Sequence, residues 1–206
     1  MNRFIILLVA LTMLGGCVSP REKIGESVQP DWLERRDFLR SLDDWRMEGR
    51  LALRTGRDGY NGTLSWEQLD DDLDFRFRGP FGFGGFRIHG DLDQLRVKTS
   101  GGDEFYLRDP EVEMRQRFGW SVPVHSMRYW IVGVSDPGVA ADEVVDEDGY
   151  LVELEQGGWQ VSYDGYRDHD GLDLPRKVVM VNGDVQIRVV ADKWRLELPD
   201  QGEDLL

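Results

Sequence analysis

The sequence predicts a mainly β protein with some α: an incomplete antiparallel β-barrel of about eleven strands, covered by a lid of about three helices. Three observations lead there. Most of the chain alternates apolar and charged residues with a period of two, broken by turn residues. Three segments switch to helical spacing and carry start or stop residues. Every alternating stretch has one apolar and one charged face, so a single sheet must curl, and its apolar side needs a cover.

The elements follow in order. Asp31 is placed to cap a helix running to about Asp44, with Trp32, Phe38, Leu39 and Leu42 on one side and Arg35, Arg36 and Arg40 elsewhere. From Trp45 the period becomes two: Trp45, Met47, Leu51 and Leu53 alternate with Arg46, Glu48, Arg50 and Arg54. Leu64 and Trp66 form the next strand, and Asp70-Asp71-Asp72 the turn after it. Leu73, Phe75 and Phe77 then alternate with Asp74, Arg76 and Arg78. Beyond a glycine-rich loop come Phe86 and Ile88, then Leu95 and Val97, then Phe105 and Leu107, which together read as a meander.

Asp109-Pro110-Glu111 has the cap, proline and acid of a helix start, with Val112, Met114 and Phe118 as its apolar side and Gly119 as its stop. Pro123 opens a third helix through Val124, Met127, Trp130, Ile131 and Val134. Strands resume at Tyr150–Leu154 and Trp159–Tyr163, then at Val178–Met180 and Val185–Val189 around the hairpin signal Asn182-Gly183. Trp194, Leu196 and Leu198 close the series as a strand of their own.

The chain's start sets the compartment. Arg3 precedes an uncharged, mostly aliphatic run from Phe4 to Leu14, too short to span a bilayer as a finished helix. Leu14-Gly15-Gly16-Cys17 then resembles the lipobox of bacterial lipoproteins. That likeness implies cleavage after Gly16 and acylation of Cys17. Residues 1–16 are then a lipoprotein signal peptide, 17–30 a flexible tether, 31–198 one barrel domain and 199–206 a polar tail. Val18 in place of aspartate favours outer-membrane sorting by the same likeness. Cys17 is the single cysteine, so the folded part has no disulfide and no thiolate metal site.

Composition narrows the function. The 206 residues hold 25 Lys and Arg against 39 Asp and Glu, a net charge of −14, which argues against binding a nucleic-acid backbone. The three histidines, His89, His125 and His169, are scattered, and no nucleophile elbow, zinc helix or phosphate-cradling loop occurs. Gly82-Phe83-Gly84 fails the dinucleotide pattern because Arg87 stands where its third glycine belongs. Asp168-His169-Asp170 and Asp146-Glu147-Asp148-Gly149 read as solvated turns. No catalytic residue, cofactor or metal is expected.

Apolar binding has better support. The chain carries 7 Trp, 6 Tyr and 9 Phe. Strand parity points Trp66, Phe75, Phe77, Phe86, Trp159, Tyr163 and Trp194 inward, and Ile88 with them. Such residues either fill a barrel or line a hollow one, and composition does not distinguish the two. The loop Gly79–Gly85 is unusual because Phe81 and Phe83 sit among turn formers Pro80, Gly82 and Gly84. It is either folded back on the sheet edge or an apolar tip for a membrane or a greasy partner.

Six fragments, in order, resemble the outer-membrane lipoprotein receptor family LolB: Trp45 with Gly49-Arg50-Leu51-Ala52, Leu64-Ser65-Trp66, Gly79-Pro80-Phe81-Gly82, Trp130-Ile131-Val132-Gly133, Gly158–Tyr163 and Leu174-Pro175-Arg176-Lys177. The resemblance implies an open barrel with a helical lid, similar to the soluble carrier LolA. It implies a monomeric outer-membrane lipoprotein, anchored in lipid through Cys17 and facing the periplasm. Such a protein takes client lipoproteins by their acylated N-termini from a loaded LolA-type carrier and inserts them into the outer membrane. Phe81 then matches an exposed apolar loop residue that is usually leucine; Phe81 itself and the extra Phe83 are departures. The cavity residues expected to hold acyl chains are Trp66, Phe75, Phe77, Phe86, Ile88, Trp130, Ile131, Trp159, Tyr163 and Trp194, with Trp130 and Ile131 gating them. The alternative is a structural or assembly lipoprotein whose packed barrel docks a protein partner.

Overall fold

A computed structural model describes residues 30–56, 58–82, 84–91 and 93–197. The signal peptide, Cys17, the tether up to residue 29, Phe83 and the polar tail lie outside the described residues. Eleven strands form one antiparallel sheet: β1 Asp44–Thr55, β2 Asp58–Leu69, β3 Asp72–Arg78, β4 Phe86–Gly90, β5 Leu95–Thr99, β6 Glu104–Leu107, β7 Ala141–Val145, β8 Leu151–Gln156, β9 Trp159–His169, β10 Leu172–Asn182 and β11 Val185–Leu196. Three helices accompany it: α1 Pro30–Arg40, α2 Pro110–Phe118 and α3 Val124–Val132. The sheet order is β6-β5-β4-β3-β2-β1-β11-β10-β9-β8-β7. The short edges β6 and β7 do not pair, so the barrel stays open, and the helical segment between them in the chain covers the gap.

Parity decides the faces. Along β1, Trp45, Met47 and Leu51 are buried while Glu48 and Arg50 are exposed, and the other long strands follow suit. Curvature is helped where Gly49 meets β11. A side chain there would strike the Val190 carbonyl, and the register slips so that Glu48 faces Lys193 while Gly49 faces Ala191. Asp192 is the extra residue of this bulge and takes the Arg50 guanidinium at 3.1 and 3.2 Å.

The number of strands agrees with expectation, but one expected strand is absent and one unexpected strand takes its place. Trp194 and Leu196 continue β11 instead of forming a separate strand, because the chain between Val189 and Trp194 bulges without turning. β7 was not anticipated: Ala141-Asp142-Glu143-Val144-Val145 is an acidic edge segment with no clean alternation. The hairpin loop between β10 and β11 is Gly183-Asp184, one residue later than Asn182-Gly183, since Asn182 pairs with Val185. Asp168 and His169 end β9, and the tight turn there is Asp170-Gly171, both at positive φ.

α1 stops at Arg40, short of the expected Asp44, because Ser41 turns back onto the Phe38 carbonyl at 3.0 Å and Asp44 already pairs with Leu69. α2 follows the expected signals. Asp109 accepts from the Val112 amide at 3.2 Å, Glu113 accepts from the Arg108 and Asp109 amides at 2.8 and 3.3 Å, and Gly119 closes at φ 77°. Only Met114 of its apolar trio is buried; Val112 and Phe118 are about half exposed. α3 ends at Gly133, where φ is 90° and a side chain would meet the Pro175 ring at 2.9 Å.

The interior is two clusters. The larger joins α1 and α3 to β1, β2 and β8–β11, through Trp32, Trp45, Met47, Ile131 and Leu174 among others. Arg35 lies over the Tyr150 ring, and Arg40 donates to Ser135, which pins α1 to this packed side. The smaller cluster joins Leu73, Leu95, Val97 and Leu107 of the meander to Met114 of α2.

Candidate functional site

Between the two clusters the barrel is hollow. The space measures about 1280 Å³, beyond the roughly 300–1,000 Å³ usual for pockets that take drug-sized ligands. One wall is the concave sheet, with Leu51, Leu53, Trp66, Phe75, Phe77 and Ile88. The other is helical: Met114 and Phe118 of α2, Trp120 and Val122 of the linker, Met127 and Trp130 of α3. The described part of α1 contributes nothing to this wall, so the three helices divide their work. α1 closes the packed side; α2, α3 and the linker between them border the hollow.

Strand directions place its mouth. The rim residues Thr55, Gly56 and Asp58 belong to the β1–β2 turn, Gly84 to the β3–β4 loop, Thr99 to the end of β5, Gly157 to the β8–β9 turn, and Gly183 and Asp184 to the β10–β11 turn. In an antiparallel sheet of this order all of these lie at one end of the barrel. The loop that carries Phe81 is at that end too. Its ring is 99% exposed, and the backbone holds it at φ 56°, ψ 17°, a left-handed conformation that a bulky side chain seldom adopts. Of the two readings of this loop, the fold-back onto the sheet edge does not apply to Phe81. Pro80 and Gly82 beside it are exposed as well.

The ten residues expected around a cavity separate cleanly. Trp66, Phe75, Phe77, Phe86, Ile88, Trp130 and Trp159 face the hollow. Ile131, Tyr163 and Trp194 do not line it: they are buried in the larger cluster, because α3 turns Ile131 away and the packed half of the barrel claims the other two. Trp194 packs edge-on against Trp45 at 5.4 Å, and burial pushes the Tyr163 hydroxyl well above its ordinary pKa. Trp130 is not built to swing. Its indole N–H donates to Gln156 Oε1 at 2.7 Å, and Gln156 also receives the Asp136 amide at 2.9 Å while donating to the Asp136 and Val139 carbonyls.

The wall residues missed from the sequence fall into two kinds. Leu51, Leu53 and Ile187 share the inward parity of their strands, a legible signal. Trp120 and Val122 sit in an irregular linker where no periodicity points anywhere.

Neighbouring rings meet along the sheet wall: Trp66 to Phe75 at 5.5 Å, Phe75 stacked on Phe86 at 5.9 Å, and Phe77 to Phe86 at 5.3 Å. Polar groups on the wall, Tyr60, Ser121 and Ser126 among them, are outnumbered by apolar ones. Glu111 and Arg115 of α2 stand at its margin, and burial raises the Glu111 carboxyl despite the nearby Arg115 charge. Among the described residues no group of three His, Cys, Asp or Glu could hold a metal ion. Asp146 spends its carboxylate on the Asp148 and Tyr150 amides of its own turn.

The family described as "Outer membrane lipoprotein LolB" matches residues 43–194, from just ahead of β1 to near the end of β11. The chain belongs to the LolB family. Outer-membrane lipoprotein LolB of Nitrosococcus oceani is 32% identical over 197 residues, covering 94% of this chain and 98% of that protein. LolB of Stutzerimonas stutzeri is 32% identical over 186 residues, covering 89% and 90%. The fold also resembles a solved DUF1329 family protein from Desulfovibrio piger, with a TM-score of 0.54 over 82% of this chain and 91% of the other. At 8% identity that likeness concerns the fold alone. Membership of the LolB family makes this chain an outer-membrane lipoprotein of the lipoprotein-transport system, and not an enzyme.

Proposed function

We propose that the chain receives lipoproteins from a LolA-type carrier by taking their acyl chains into the hollow, and delivers them to the outer membrane at the end marked by Phe81. The carrying observation is the apolar space of about 1280 Å³ that opens at the same end as the exposed Phe81. A cavity of that size weighs against a packed scaffold that merely docks a partner.

Energetics constrain the route. Releasing one chain of about 15 methylenes to water costs roughly 12 kcal/mol, at ~0.8 kcal/mol each. That is roughly nine orders of magnitude at about 1.4 kcal/mol per tenfold, and a client carries several chains. Transfer therefore runs from cavity to cavity with the mouths apposed, and needs no nucleotide. Direction comes from tighter binding in this receptor, then from loss to the bilayer.

Roles follow from position. Trp66, Phe75, Phe77, Phe86, Ile88, Trp130 and Trp159 hold acyl chains, while Ile131, Tyr163 and Trp194 stiffen the packed half. Gating belongs to the linker around Trp120 and Val122 instead of the pinned Trp130. Phe81, with Pro80 and Gly82 shaping the tip and Phe83 following in the same loop, enters the bilayer. Cys17 carries the anchor, and the protein works as a monomer.

The test incubates the full lipidated chain with carrier loaded with a client and asks which protein holds the client. Transfer without nucleotide is the expected result. A client that stays on the carrier, or passes equally well to a chain with the hollow filled, overturns the reading.

A further inference from the structure

The outer face of the sheet carries charge of the wrong sign for this chain. The net charge is −14, yet the outward positions of β11 and β1–β5 are crowded with arginine and lysine. Strand register sorts them into rows. One row runs Arg195, Arg46, Glu67, Asp74, His89, Arg96. The next runs Lys193, Glu48, Ser65, Arg76, Arg87, Lys98. Arg50, Thr63 and Arg78 form a third, nearer the mouth, and Arg54 lies beyond it.

Three pairs of cations stand directly across from each other: Arg46 and Arg195, Arg76 and Arg87, Arg87 and Lys98. Like charges in direct cross-strand positions are unfavourable, and neighbouring acids offset only part of this, with Glu67 3.7 Å from Arg46 and Glu104 2.7 Å from Arg96. Asp74 relieves one pair by accepting from Arg76 at 2.5 and 3.1 Å and from Arg87 at 2.6 and 2.8 Å. Burial would raise the Asp74 carboxyl, but the hydrogen bonds from Arg87 and Arg76 outweigh it and lower its pKa to about 2. The outward residues of β8 and β9 lean to the other sign, with Glu153, Glu155, Asp164 and Asp168 against Arg167. Positive charge is therefore concentrated on one part of the sheet.

The rows also enclose a groove of about 450 Å³ lined by Arg46, Arg76, Arg78 and Lys193, by Thr63 and Ser65, and by the acids Glu48 and Asp192, of which Asp192 is held by Arg50. Four cations against two acids leave its lining net positive, which suits an anionic group and not an acyl chain. Arg78 is the last residue of β3, three residues ahead of exposed Phe81, so the basic face is continuous with the tip.

We propose that the basic outer face of β11 and β1–β5 docks on the anionic phospholipid of the membrane surface, seating phosphate headgroups along the arginine rows and laying the barrel so that Phe81 enters the bilayer beside them. The assignment rests on the membrane-delivery reading and adds the lipid class and the docking face. A guanidinium offers paired donors to phosphate oxygens, and an anionic leaflet attracts clustered cations within a Debye length. The phosphate-bearing surface complements this face; the rest of the molecule, being acidic, is repelled from it and fixes the orientation.

The experiment uses the mature chain from residue 17 carrying Cys17→Ala, so that neither an acyl anchor nor the apolar run Phe4–Leu14 masks weaker contacts. Its binding is measured on phosphatidylethanolamine vesicles with and without phosphatidylglycerol. Phosphatidylglycerol should strengthen binding on the order of tenfold or more at low salt, with the gain lost as salt rises. The variant Arg76→Glu, Arg78→Glu, Lys98→Glu should lose that gain and keep its binding to pure phosphatidylethanolamine. A charge-matched variant away from the face, Arg108→Glu, Arg117→Glu, Arg167→Glu, should retain most of it. The single variant Arg78→Glu serves if the triple variant unfolds. Equal losses in both triple variants, no dependence on phosphatidylglycerol, or preference for a carboxylated glycan polymer over these vesicles each overturn the proposal. No carrier or client is present, so a failure here is distinct from a failure of client transfer.

Discussion

Phe81 separates stability from function more cleanly than any other residue. Its ring touches solvent on almost every side, at 99% exposure, and its backbone sits at φ 56°. Replacing it with glycine removes no packing. It relieves a left-handed strain of about 1–2 kcal/mol for a non-glycine residue. Against that, glycine adds backbone freedom to the unfolded chain worth roughly 0.5–1 kcal/mol. The two nearly offset, so Phe81→Gly should unfold in urea within about 1 kcal/mol of the unmodified chain, on either side. Membrane engagement should behave differently. Burying a phenylalanine ring is worth about 1.5–3 kcal/mol, so its loss should weaken tip insertion roughly 10- to 150-fold at about 1.4 kcal/mol per tenfold. The assays are urea unfolding and delivery of clients from the lipid-anchored chain to vesicles. Phe81→Glu should lose delivery as well, with client binding intact. Destabilisation of Phe81→Gly by more than about 2 kcal/mol would mean a packed ring, and undiminished delivery would remove the tip role.

Three further outcomes follow from the same geometry. Leu53→Trp narrows the hollow near its mouth, where Leu53 is only half buried; client uptake should fall while the melting temperature changes little, and unchanged client binding would count against the cavity. Gln156→Leu strips four hydrogen bonds from a residue 2% exposed, leaving the Trp130 indole and the Asp136 amide unpaired; urea unfolding should show a loss of about 3 kcal/mol or more. The Asp74 carboxyl titrates at about 2 in the folded chain, below its ordinary 3.8, so its contribution is full above the unfolded value and is lost as pH falls toward 2. Asp74→Asn should therefore be less stable than the unmodified chain at pH 7, with the difference shrinking as pH falls through the unfolded value of 3.8 and vanishing only below the folded value of about 2.

Local order in the chain settled a good deal. Period-two alternation in Trp45–Leu53 and Leu73–Phe77 placed strands and their inward faces, because one buried side of a pleat demands every second residue. Asp109, Pro110 and Gly119 bounded a helix, since caps act through the nearest few residues. The exposed apolar loop at Phe81 was legible for the same reason: it is a short-range departure from what its surroundings favour. Tertiary structure alone decided that seven of ten inward candidates border a space while Ile131, Tyr163 and Trp194 pack solid, that an irregular linker brings Trp120 to the wall, and that arginines from five strands share one outer face. Alternation tells which side of a strand is apolar, but a void depends on what stands opposite, and that is set by how far a sheet curls and where its lid comes to rest.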